Sequence, residues 1–252
     1  MLSSRGITIT KKLMKPVLDK IIIQGIVSLL SVMISSQAMA AFVLNGTRFI
    51  YEEGKKNTTF EVTNQSAETY GGQVWIENPD MTNETAYLIP VPPFFKVEPK
   101  GKQIVRVMKG GNSLPVDRES LFWLNVQEIP PKSKETEGSM LAVAINTRVK
   151  LIYRPRNLVE GRKGAEKNMQ ILHRGGEAYL NNPTPYWFAV TAVKVNGKSL
   201  KLSDIVLNKV SQIAPWSEVS LGNVSLKGRV SVEAVDDWGG TADYPLTGGK
   251  LE

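Results

Sequence analysis

Thr58-Thr59-Phe60-Glu61-Val62-Thr63 puts Phe60 and Val62 on one face and threonine or glutamate on the other, then stops at Asn64-Gln65-Ser66. A period of two closed by turn-forming residues marks a strand with one buried face. The pattern repeats along the chain. Gly72-Gln73-Val74-Trp75-Ile76-Glu77 ends at Asn78-Pro79, Lys102-Gln103-Ile104-Val105-Arg106-Val107-Met108 ends before Gly110-Gly111, and residues 121–129 end at Pro130-Pro131. Pro90, Pro92 and Pro93 mark a loop or a sheet edge, since proline cannot donate to a central ladder. Shorter strands are expected at 170–172, 178–180, 187–195, 218–221 and 229–234, separated by Gly175-Gly176, Asn196-Gly197 and Gly239-Gly240. No segment sustains an apolar period of 3.6, so the fold class read from the pattern is all-β, built of sandwiches.

One expected strand is unusually long. Leu141-Ala142-Val143-Ala144-Ile145-Asn146-Thr147-Arg148-Val149-Lys150-Leu151-Ile152-Tyr153 has Leu141, Val143 and Ile145 on one face and Ala142, Ala144 and Asn146 on the other. The pattern alone leaves open whether the apolar trio enters the chain's own core. Residues 156–164 are charged, contain glycine and do not alternate, so they read as a linker. The expected organisation is a leader over 1–40, one domain over 41–158 and a second over 159–252.

The leader follows from residue chemistry. Arg5, Lys11, Lys12, Lys15 and Lys20 precede an uncharged apolar run over 21–34, and Ala38-Met39-Ala40 places small residues where a signal peptidase reads. The run is shorter than the roughly 20 residues of a spanning helix, which favours a secretory signal over a membrane anchor. After cleavage before Ala41 no stable membrane insertion is expected. The remaining chain has 26 basic and 23 acidic side chains, a net of +3. That balance and the absence of an aromatic-basic cluster argue against nucleic acid as a partner. There is no cysteine, which excludes thiol catalysis and cysteine-held zinc.

Little in the sequence supports an enzyme, and no cofactor or metal is expected. His173, the only histidine, reads as an exposed strand-end residue. Asp236 and Asp237 are adjacent, and neighbours on a strand point to opposite faces, so they make a poor acid–base dyad.

Six segments in order carry a more specific signal: Gln73-Val74-Trp75-Ile76-Glu77-Asn78, Asp117-Arg118-Glu119-Ser120-Leu121-Phe122-Trp123-Leu124-Asn125, Glu128-Ile129-Pro130-Pro131-Lys132, Thr147-Arg148-Val149-Lys150-Leu151-Ile152-Tyr153-Arg154-Pro155, Asn182-Pro183-Thr184-Pro185-Tyr186 and Asp237-Trp238-Gly239-Gly240. Over essentially the whole mature chain they resemble the PapD-like periplasmic chaperones of the chaperone–usher pathway. Trp123 and Trp238 stand where tyrosine or phenylalanine is common in that family. The resemblance implies an L-shaped pair of immunoglobulin-like β-sandwiches in the periplasm. Its partners would be pilus or fimbrial subunits and an outer-membrane usher. It implies that Arg48 and Lys150 anchor a subunit's terminal carboxylate, and that Leu141, Val143 and Ile145 are lent to the subunit as a donor strand. It also implies that Glu119, Arg154 and Asp237 form an interdomain ion cluster. Read without the resemblance, Arg48 and Lys150 are two solvated surface charges. The exposed apolar strand also makes self-capping as a homodimer an expectation to test. The polar 132–140 stretch resembles the short loop of chaperones that serve rod-like pili.

Two other classes compete. A fimbrial subunit would be a single domain, often with a disulfide, whereas two domains and no cysteine are read here. An enzyme or carbohydrate-binding module on the same scaffold is not excluded by fold alone, but neither a catalytic set nor a one-faced aromatic cluster is present in the sequence.

Overall fold

The computed structural model describes residues 40–78, 86–111, 113–132 and 143–246. The leader, Leu141 and most of the polar 132–140 stretch lie outside the described residues. The first half contains β1 (Phe42–Leu44), β2 (Arg48–Glu52), β3 (Asn57–Asn64), β4 (Tyr70–Glu77), β5 (Leu88–Val91), β6 (Phe94–Val97), β7 (Lys102–Lys109), β8 (Ser120–Ile129) and β9 (Asn146–Arg154). The second contains β10 (Gln170–Arg174), β11 (Glu177–Asn182), β12 (Val190–Val195), β13 (Lys198–Ser199), helix α1 (Asp204–Val210), β14 (Ser217–Gly222), β15 (Val230–Val235) and β16 (Thr241–Pro245).

Each half is a pair of sheets around its own core. In the first, β1-β3-β7-β5 faces β2-β9-β8-β4-β6. The alternation read in the sequence decides which side chains go between them: Phe60 and Val62 of β3, Val105 and Val107 of β7, Phe122, Leu124 and Val126 of β8, and Leu151 and Tyr153 of β9 are all buried. β5 is an edge strand, paired to β7 alone, so Pro90 removes no ladder hydrogen bond. Near the start of the domain, the buried Glu128 carboxylate accepts the Phe42 backbone N–H at 2.8 Å and so fixes β1. In the second half, β10-β11-β14 faces β13-β12-β15-β16 across Ile171, Leu180, Val190, Val193, Val232 and Ala234. Among the described residues β2 and β9 are the one parallel pair, with Arg48 opposite Lys150 and Glu52 opposite Arg154.

Four sequence expectations are corrected. A helix is present where none was expected. α1 has only seven residues, too few to display a period, and its start is set by Ser203, whose side chain accepts the Val206 N–H at 3.4 Å. The long strand over 141–153 begins only at Asn146, although the Ile145 carbonyl already accepts the Glu128 N–H at 2.9 Å. Among the described residues no second sheet covers Val143 or Ile145: they are 64% and 37% exposed, so neither belongs to the core that the described residues form. The 156–164 linker is ordered and partly buried rather than solvated; it opens with a 3₁₀ turn over Arg156–Leu158, and Arg162 is buried. His173 lies on β10 half-buried, and its Nδ1 is shielded without a hydrogen-bond partner, so it is not an exposed strand end.

Candidate functional site

β9 is flanked on one side by β8 over residues 146–153 and on the other by β2 over residues 150–154. The two pairings differ in length. Among the described residues, the β2-facing edge of β9 over 146–149 therefore carries no strand. Val143 and Ile145 stand exposed just before it. An unpaired edge continuous with exposed apolar side chains is a ready template for a further strand.

The inner end of that edge is cationic. Arg48, the first residue of β2, lies directly across from Lys150 of β9. The Arg48 Nη1 donates to the Val235 carbonyl at 3.0 Å, and the Lys150 Nζ donates to the Ser211 carbonyl, both in the second half of the chain. Leu121, Ile152, Trp187, Phe188, Ala189 and Gln212 close in around the two cations. Burial pulls the Lys150 ammonium down to about 8, and the Arg48 charge pushes the same way. Burial also lowers the Arg48 guanidinium, with Asp237 opposing and Arg162 assisting. Two partly desolvated cations, whose hydrogen bonds among the described residues go to neutral carbonyls, favour an anion that can approach both. They are not two solvated surface charges.

Glu119, Arg154 and Asp237 come together at the junction of the two halves. The Arg154 Nε donates to Glu119 Oε1 at 2.6 Å, and its two terminal nitrogens grip Asp237 at 2.7 and 3.0 Å. Burial opposes charge on Asp237, yet the hydrogen bonds and charge of Arg154 hold its carboxyl below the ordinary value. The Arg154 guanidinium is likewise raised despite burial, by bonds to Asp237 and the charge of Glu119. Asp236 turns away: its Oδ1 accepts the Trp238 and Gly240 N–H groups at 2.9 and 2.8 Å, which forms the turn carrying Asp237. Trp238 stands outside that turn, 84% exposed. Gly239 is required beside it: its φ is +87°, and a Cβ would lie 2.5 Å from the Thr47 hydroxyl next to Arg48.

The Asn-Pro-Thr-Pro-Tyr segment explains itself at this junction. Asn182 folds it by donating to the Tyr186 and Ala214 carbonyls at 2.7 and 2.8 Å and accepting from Thr184. The fold presents the Pro185 carbonyl to the Glu119 N–H at 2.9 Å, and the Trp187 N–H to Glu119 Oε2 at 2.7 Å. The buried Glu119 is thus bonded on its main chain and on both carboxylate oxygens.

Sequence reasoning missed Arg162 and Glu166. Both are buried; they pair at 2.7 Å, and Arg162 Nε lies 3.5 Å from Asp237 Oδ1. The cluster is therefore a chain of alternating charge, Glu119–Arg154–Asp237–Arg162–Glu166. The available signal was the i, i+4 spacing of Arg162 and Glu166, hidden by the linker reading of the segment.

Comparison with known proteins adds the following. The profile of the pili and flagellar-assembly chaperone PapD N-terminal domain matches residues 41–159, and that of the pili assembly chaperone PapD C-terminal domain matches residues 164–246. The chaperone protein FanE of Escherichia coli is 49% identical over 216 residues, which is 86% of this chain and 94% of that one. The crystal structure of the periplasmic chaperone SfaE superposes with a TM-score of 0.65 at 31% identity, covering 82% of this chain and 98% of that one. The SafB chaperone, solved in complex with the SafA pilin of Salmonella enterica, shares the fold with a TM-score of 0.68 at 23% identity, covering 84% and 98%.

Proposed function

Since this chain belongs to the PapD family of pilus-assembly chaperones, we propose that it works in the periplasm, caps pilus or fimbrial subunits by lending them a strand, and passes them to an outer-membrane usher. The observation that carries the reading is the free edge of β9 ending at the Arg48–Lys150 pair. A guest strand laid on that edge lies in line with β2, and the direction that brings its C-terminus to the two cations is the parallel one, as for β2. Its last residue then meets the two cations, and a C-terminal carboxylate is the group that completes them.

The energetics divide the work. Val143 and Ile145, with Leu141 before them, enter a groove in the subunit. Each buried side chain contributes roughly 1.5–3 kcal/mol, reduced by ordering costs. The hydrogen bonds to the charged carboxylate are worth roughly 1.5–3 kcal/mol. Their larger effect is on register, because a slip of one residue would turn every donor side chain out of the groove. The carboxylate displaces the Ser211 and Val235 carbonyls, because an anionic acceptor adds the attraction of opposite charges to the hydrogen bonds that the same two cations give to neutral carbonyls. The Glu119–Arg154–Asp237 cluster holds the second half against the cleft while this exchange takes place. Cleavage after Ala40 is supported by the family profile, which begins at residue 41. A free molecule with this edge exposed would also cap itself as a homodimer, which dilution in analytical ultracentrifugation would reveal.

The test separates edge from anchor. Val143→Asp and Lys150→Ala should both fold, by circular dichroism, because neither side chain is in the core. Both should fail to protect a co-expressed subunit from periplasmic proteolysis: the first because a carboxylate entering an apolar groove is costly to desolvate, the second because half the clamp is gone. Normal subunit recovery with Lys150→Ala would sink the anchor; unfolding of Val143→Asp would sink the donor edge.

A further inference from the structure

The outer face of the first domain's five-stranded sheet carries a cross-strand row through the anchor. By register, Glu77 of β4 lies opposite Trp123 of β8, Trp123 opposite Lys150 of β9, and Lys150 opposite Arg48 of β2. The indole of Trp123 has the Lys150 ammonium 5.9 Å and the Arg148 guanidinium 4.5 Å from its centroid. Arg148 is itself tied to Glu77 at 2.7 Å, and Glu77 accepts the Trp75 indole N–H at 3.0 Å. The ring thus has two cations of β9 against it, one of them held by Glu77 of β4.

Lys150 needs such a neighbour. Around its ammonium, β2 presents the like charge of Arg48, the segment after α1 presents the neutral Ser211 carbonyl, and β8 presents Trp123. No carboxylate contributes to its shift; burial and Arg48 are the two causes and both disfavour the charged form. The negative face of an indole is a compensating field that costs little desolvation. We propose that Trp123 is a positioning residue of the carboxylate anchor, its π face keeping the Lys150 ammonium charged and aimed at the cleft while Arg148 fixes the plane of the ring. This deepens the chaperone reading and rests on it only where a carboxylate ligand is concerned.

The experiment reads Lys150 directly. In the mature protein labelled with ¹³C-lysine, the Lys150 Cε resonance, assigned by its loss in Lys150→Arg, is titrated in wild type, Trp123→Leu and Trp123→Phe. Trp123→Leu should lower the midpoint by roughly half a unit to one unit, and Trp123→Phe by less than half of that. Uniform fluorotryptophan incorporation keeps the shape and weakens the ring's negative face. It should move the midpoint in the same direction, and it decides the matter if Trp123→Leu does not fold. A midpoint unmoved by Leu and by fluorination, or moved equally by Leu and Phe, overturns the proposal. In parallel, a synthetic peptide with a free C-terminal carboxylate and its amidated twin are titrated at pH 7. The carboxylate peptide should bind Trp123→Leu about 3–10-fold more weakly than wild type. Equal binding of the twins to wild type would overturn the carboxylate reading while leaving the lysine titration to judge the ring.

Discussion

Lys150 is charged where burial disfavours charge, and this gives the free protein a pH dependence. Its folded value of about 8 lies below the ordinary lysine value of 10.5, so between those values the unfolded chain holds more protons. Stability of the free protein therefore carries the full burden of the charge below pH 8 and rises as pH climbs from about 8 toward 10.5. Lys150→Met should remove that rise and stabilise the free protein at pH 7 by about 1–2 kcal/mol, a value discounted for partial solvation, while subunit capture is lost. Urea melts from pH 7 to 10 check it; a flat wild-type profile would contradict the burial of this ammonium. Capture should move the opposite way and weaken as pH rises past 8, because the carboxylate needs the proton on Lys150. At this scale the sequence was legible only through family resemblance. Nothing in the string around Lys150 or Arg48 says that they are neighbours, since their contact depends on the parallel pairing of β2 with β9.

Among the elements, the 156–164 connection departs furthest from its sequence appearance. Charge and glycine suggested a solvated linker, yet Arg162 is buried against Glu166 and reaches toward Asp237. Removing one partner of a buried pair leaves the other uncompensated. Arg162→Ala should cost about 3–5 kcal/mol, whereas Arg162→Met combined with Glu166→Leu should cost distinctly less. Chemical denaturation of both variants tests this, and equal losses would deny the pairing. The strands were legible because a period of two needs only one buried face to write itself into six residues, as on β3. Helix α1 was not, because seven residues span about two turns and its packing on β12 and β14 is a tertiary fact. The early start expected for β9 failed for a related reason: alternation records apolar side chains but not the absence of a sheet to cover them.

For the molecule as a whole, the clasp between halves is the alternating chain from Glu119 to Glu166. Asp237→Asn removes the charge that Arg154 and Arg162 share. It should lower stability by about 1–3 kcal/mol, and it should broaden the distribution of domain arrangements with Lys150 and Arg48 intact. Thermal melts and small-angle scattering would report these changes, and an unchanged pair of profiles would deny the cluster its role. Export is the other molecular-scale outcome: intact-mass measurement of periplasmic protein should give a chain starting at Ala41, and retention of the leader would contradict it.

By itself the sequence determined the strand faces, the two separate cores, the missing thiol chemistry and, through six ordered segments, the family. Those properties are local or compositional, so a one-dimensional string can carry them. Only the tertiary structure decided that, among the described residues, Val143 and Ile145 have no sheet above them and the β2-facing edge of β9 is unpaired over 146–149. It also decided that Arg162 continues the ion chain and that Trp123 shares a row with Lys150. Each depends on which strand lies beside which, and residues 102 positions apart in the chain, such as Arg48 and Lys150, become neighbours only when pairing is complete.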